Sequence, residues 1–235
     1  MDYWNKENFE GMEAIGEHYS QRPGFELFSK YCLLKGQGLK KQAVEAINEF
    51  VALLEKKETQ QKREIALELT ELSYHNGAIH QLLSFPLIQW LITVFEEWSN
   101  TDSGNVLPER WLGFLTHDME RYEKALKLEP NDQISLIALC NAHISDVDYQ
   151  THHLFESRLI GELDEAKQSL ETAEQLLSRI TVSKFIEFAH QEINYYGRML
   201  EKWEEYSSQV RQEAFQEWCE KQGESFSFGS VVYYE

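Results

Sequence analysis

Apolar residues recur at helical spacing along nearly the whole chain, and little interrupts them. Over 235 residues there are 12 glycines and 4 prolines, too few for a sandwich or barrel whose turns recur about every 8–12 residues. The pattern therefore predicts an all-α fold. Trp4, Phe9, Met12, Ile15 and Tyr19 outline a first helix that Arg22-Pro23-Gly24 must end. Phe25, Leu27, Phe28 and Tyr31 open a second, closed by Gly36-Gln37-Gly38, and Ala43, Ile47, Phe50 and Leu54 mark a third running to about Lys57. These two read as an αα-hairpin. A fourth helix from Thr59 buries Ile65, Leu69 and Leu72 and stops at His75-Asn76-Gly77. Ser84 caps the next, with Pro86 in its first turn. Its Leu87, Trp90, Leu91, Val94, Phe95 and Trp98 cover more than half the circumference, which predicts a central helix touched on several sides.

The stretch Asn100 to Pro108 reads as a loop and as a sub-boundary within a single all-α domain spanning residues 1–222. Beyond it the periodicity predicts helices over 110–115, 118–128, 132–154 and 162–180, then a run from Val182 to about Gln222 with Thr181 as its cap. That run exceeds an ordinary globular helix, so a break is expected near Tyr206-Ser207-Ser208. The expected total is nine or ten antiparallel helices. Residues 223–235 alternate like a strand at Phe226, Phe228 and Val231, and read as either a docked extended tail or a disordered one.

With 22 Lys and Arg against 40 Asp and Glu the net charge is −18. A field of that sign repels phosphate backbones and anionic lipid, which excludes nucleic acid and membrane surfaces as expected partners and favours basic proteins and cations. Within residues 30–63 the sign inverts: Lys30, Lys35, Lys40, Lys41, Lys56, Lys57, Lys62 and Arg63 outnumber Glu45, Glu49, Glu55 and Glu58 by eight to four. Cys32, Cys140 and Cys219 are widely spaced with no CxxC, and read as buried thiols of a reducing compartment. The acidic start MDYWNKENFEGM lacks the basic-then-apolar pattern of a signal peptide, and the longest apolar stretch, Phe85 to Phe95, is too short to span a bilayer. A cytoplasmic location is the expectation.

Tyr122-Glu-Lys-Ala125-Leu-Lys-Leu-Glu-Pro130-Asn-Asp resembles the close of a tetratricopeptide repeat: an aromatic, a small residue three further on, and a helix-stopping proline five after that. Gly38 with Ala43 echoes the turn glycine and small residue of the same repeat. Trp111-Leu112-Gly113 lies too close to Tyr122 to supply the repeat's first helix, and no period near 34 residues runs through the chain. The resemblance implies helical hairpins stacked as an α–α superhelix or a tetratricopeptide-like bundle, with a concave face for a protein partner.

Chemistry-bearing side chains are densest from Asp146 to Glu156. There Asp148, His152 and Glu156 fall at i, i+4 and i+8, and so would share one helix face, with His153 beside them. Two carboxylates flanking imidazoles suit Zn²⁺ or a harder divalent metal, although a straight helix spreads the outer two by about 12 Å. Glu187-x-x-His190 is half of a di-iron bundle motif whose other half is missing. No Gly-x-Ser-x-Gly, P-loop or dinucleotide fingerprint occurs, and no cysteine has a neighbour that would activate it. The expected function is therefore non-catalytic protein binding, through a helical groove or an acidic face. The alternatives are a cognate, immunity-type inhibitor of a basic toxin or nuclease, and a metal-dependent hydrolase built on Asp148, His152, His153 and Glu156.

Overall fold

A computed structural model describes residues 6–210 and 212–227. Trp4, Phe228 and Val231, named in the patterns above, lie outside the described residues. Within them the chain is all-α, with eleven α-helices, a single 3₁₀ turn and no strand. The helices group into two compact units, one ending at Asp118 and the other starting at Met119.

The first unit holds α1 (Lys6–Tyr19), α2 (Glu26–Gly36), α3 (Lys40–Leu54), α4 (Thr59–His75), α5 (Phe85–Thr101) and α6 (Val106–Thr116). Gly24 at φ 85° and Gly38 at φ 76° reverse the chain on either side of α2, where any other residue would be strained. Consecutive helices α1, α2 and α3 pack on one another as hairpins. Tyr19, Phe25, Phe28 and Phe50 knit them through ring contacts 5.1–6.2 Å apart, and Ser29 Oγ donates to Gly16 O at 2.6 Å. The central position expected of α5 is realised, since it contacts α3, α4 and α6. Its Leu87, Leu91 and Phe95 are fully buried. In α4, by contrast, only Leu69 of the expected three is buried, and Ile65 and Leu72 are half-buried. The expected loop over 100–108 narrows to the segment between Thr101 and Val106, inside this unit: Asn105 caps α6 by accepting from Leu107 N at 3.0 Å, and Ser99 Oγ donates to the buried Glu109.

The second unit holds α7 (Met119–Leu128), α8 (Gln133–Thr151), the 3₁₀ turn Leu154–Glu156, α9 (Leu163–Leu177), α10 (Ser183–Ser207) and α11 (Phe215–Lys221). Tyr122 and Ala125 are buried as α7 packs on α8, and Asp132 caps α8 by accepting from Ser135 N at 2.8 Å. Helices α8, α9 and α10 each touch the other two around Leu136, Cys140, Ile144, Leu170, Ala173, Ile193 and Leu200. At one end of this bundle Gln133 accepts from both Thr181 N (2.7 Å) and Thr181 Oγ1 (3.0 Å). Thr181 therefore ties α9–α10 to α8 instead of capping α10, whose N-cap is Val182. The expected break at residues 206–208 is present. Past it α11 and Phe226 close a second apolar cluster with Met199, Tyr206 and Leu154. The tail is docked up to Ser227, whose backbone N–H and carbonyl both bond the Tyr195 hydroxyl at 3.0 Å. No described helix is long and apolar enough to cross a membrane.

Candidate functional site

The expectation that Asp148, His152 and Glu156 share one helix face is corrected by the end of α8 at Thr151. Ile160 N–H takes the Gln150 carbonyl at 2.9 Å, and Ser157 turns left-handed at φ 58°. Asp148 stays on α8 and accepts from the Tyr196 hydroxyl of α10 at 2.7 Å. His152 follows the last turn of α8, with Nδ1 against the Tyr149 carbonyl. His153 stacks beside it with ring centroids 4.2 Å apart. Glu156 lies on the 3₁₀ turn, its carboxylate 3.2 Å from His153 Nδ1 at ion-pair distance without hydrogen-bond alignment. The four residues thus lie on three successive segments of chain. Among the described residues no group of three or more His, Cys, Asp or Glu side chains is placed to hold a metal ion. A cavity of about 40 Å³ between Asp148, His152, Tyr195, Tyr196 and Ser227 has room for a water molecule but not for a substrate. Burial and the Asp148 carboxylate push the Tyr196 phenol well above its ordinary pKa, because both disfavour a second negative charge.

Glu187 and His190 are both exposed on α10. The three cysteines are buried free thiols, and burial pushes Cys140 and Cys219 up to about 11 and Cys32 further, which keeps them protonated and poor nucleophiles. In the basic window Lys62 pairs with Glu55 at 3.3 Å, and Arg63 bonds Thr101 while lying over the Trp98 ring.

One concavity of the second unit was not singled out from the sequence. It is a groove of about 520 Å³ along the seam between α9 and α10. Buried Leu170, Ile193 and Leu200 make its floor, because the same apolar stripes that join the two helices reach the surface there. Its walls follow from helical spacing: Lys167, Glu171 and Glu174 on α9 face Asn194, Gly197, Glu201 and Glu204 on α10. At one end Lys167 pairs with Glu204 at 2.7 Å, and the Arg198 guanidinium is drawn to Glu224 at 3.6 Å. Glu171, Glu174 and Glu201 are exposed and have no ion pair among the described residues. A smaller hollow of about 170 Å³ at Glu174, Ser178 and His190 continues the groove toward the start of α10. From His190 to Glu204 the seam runs about 21 Å, at 1.5 Å per residue. Three carboxylates without an ion pair among the described residues, over an apolar floor, can hold a cationic, partly apolar ligand.

These features define an all-helical protein of packed hairpins with an acid-walled groove between its ninth and tenth helices. No family model matches the chain, and neither a curated protein nor a solved structure does.

Proposed function

We propose that this chain is a protein-binding module whose α9–α10 groove receives a basic segment of a partner protein. The observation that carries this reading is the trio Glu171, Glu174 and Glu201, which have no ion pair among the described residues and stand around an apolar floor. Like charges held together in this way are unfavourable in the free protein and are relieved by a cation from outside. The unit around the groove is acidic as a whole: residues 119–235 hold 22 Asp and Glu against 11 Lys and Arg, a net of −11. The turn from α7 to α8, with Tyr122, Ala125 and Pro130 at tetratricopeptide spacing, supports a hairpin stack of that kind, whose grooves serve peptide recognition. The three buried thiols fit a reducing, cytoplasmic setting.

A labelled synthetic leucine–lysine amphipathic helix of about 15 residues, matched to the groove length, is the probe. Fluorescence anisotropy is expected to show binding that weakens at least about tenfold in a Glu171→Gln, Glu174→Gln, Glu201→Gln variant, at up to about 1 kcal/mol per exposed charge contact. A control variant carrying Glu7→Gln, Glu10→Gln and Glu13→Gln on α1 should bind as the wild type does. Equal losses in both variants would mean that only net charge is sensed, and would refute the groove.

A further inference from the structure

Glycine inside a helix needs a reason, because it weakens the helix relative to alanine. For Gly16 and Gly36 the reason is internal: a Cβ would come within 2.7 Å of the Leu33 side chain and 2.5 Å of that of Glu13, respectively. At Gly11 it would meet Ile79. Gly197 is different. It lies in the middle of α10, its φ is not positive, and among the described residues no atom outside its own stretch of helix comes within 4 Å of where its Cβ would stand. No described residue accounts for it, and the open space lies in the groove, one turn before Glu201 and between Ile193 and Leu200.

We propose that Gly197 is a seat for an aliphatic side chain of the partner, carried on a basic amphipathic helix whose flanking lysines or arginines meet Glu171, Glu174 and Glu201. This deepens the basic-segment reading above and rests on it. An ammonium or guanidinium placed over Leu170, Ile193 and Leu200 would lose hydration without a partner, whereas an aliphatic group there loses only contact with water. On a helical ligand the residues three and four positions from the anchor lie one turn away on the same face, and their long cationic side chains extend to the carboxylates on either wall. The missing side chain at Gly197 lets the ligand approach closely enough for both contacts at once.

The test pairs protein and peptide variants. Gly197→Leu fills the seat and Gly197→Ala narrows it. Because the space is open, both should melt at or above the wild-type temperature, so a loss of binding is not a loss of fold. The leucine–lysine helix is expected to bind Gly197→Leu at least about tenfold more weakly than wild type, with Gly197→Ala between them. Replacing the peptide's central leucine by alanine should weaken binding to wild type by a similar factor and make little further difference against Gly197→Leu. Wild-type affinity in Gly197→Leu, combined with a loss in the triple glutamine variant, would overturn the seat and leave the basic-segment reading standing. Failure of the wild type to bind the peptide would overturn both. A self-associated species in sedimentation that Gly197→Leu dissociates would assign the seat to a second copy of this chain and overturn the proposal as well.

Discussion

At Tyr196 a buried phenol donates to Asp148, and at Tyr31 another donates to the Gln81 carbonyl at 2.7 Å. Burial raises the pKa of both, and of Tyr19 and Tyr195. The consequence for stability has a definite sign. An unfolded tyrosine loses its proton near pH 10, whereas these four hold theirs to higher pH while folded, so the folded state binds more protons above that pH. Stability contributed by the four phenols is fully present below about pH 10 and is lost as pH rises beyond it. Tyrosinate absorbance followed together with helical circular dichroism should show part of the tyrosine signal titrating above pH 10 while the helices are intact, or appearing as they melt. A complete tyrosine titration near pH 10 with the helices intact would contradict the burial. Gly197 belongs to the same scale. A lone glycine in a helical pattern was visible in the sequence, but its meaning was not, because open space beside a residue depends on which neighbours the fold brings near it.

Helix α5 was legible as an element, since six large apolar residues on one helix need neighbours all round, and the structure supplies α3, α4 and α6. Phe95 is fully buried and stacks on Trp98 at 6.3 Å. Phe95→Ala should cost about 3–5 kcal/mol through lost burial and the cavity left behind. A loss below about 1 kcal/mol in denaturant melts would show that the helix is peripheral. The end of α8 was not legible, for a physical reason. No glycine or proline lies between Asp146 and Ser157, so local propensity permitted a helix through Leu154. What stops it is distant: the Ser157 hydroxyl is bonded by Phe215 N at 2.8 Å and by the Tyr206 hydroxyl at 3.3 Å, which holds the turn from outside. That turn separates Asp148, His152 and Glu156. Among the described residues the polar and ring contacts of His152 are local, to Tyr149 and His153. His152→Ala should therefore change stability by less than about 0.5 kcal/mol and leave a Zn²⁺ titration unaltered. Loss of a stoichiometric ion in that variant would assign a metal site to His152.

For the whole molecule the excess of acid is the dominant long-range property, at −18 overall. If it guides a basic partner, the association rate should fall steeply as added salt shortens the Debye length from about 30 to about 8 Å, while the apolar contact at the groove floor persists in the dissociation rate. An association rate indifferent to salt would remove charge steering. The all-helical class and most helix positions could be read from periodicity, which is a local property. The groove could not, because Glu171 and Glu174 face Glu201 only through the register in which α9 packs on α10, and sequence spacing within either helix says nothing of that register. The most direct measurement is amide chemical-shift mapping of the isotope-labelled chain during titration with the leucine–lysine helix. Binding in the groove predicts shifts concentrated in residues 167–178 and 190–204, saturating together and absent in the Glu171→Gln, Glu174→Gln, Glu201→Gln variant. Saturable shifts concentrated instead on the α4 face around Glu64, Glu68 and Glu71, or scattered over exposed acids of both units, would contradict it.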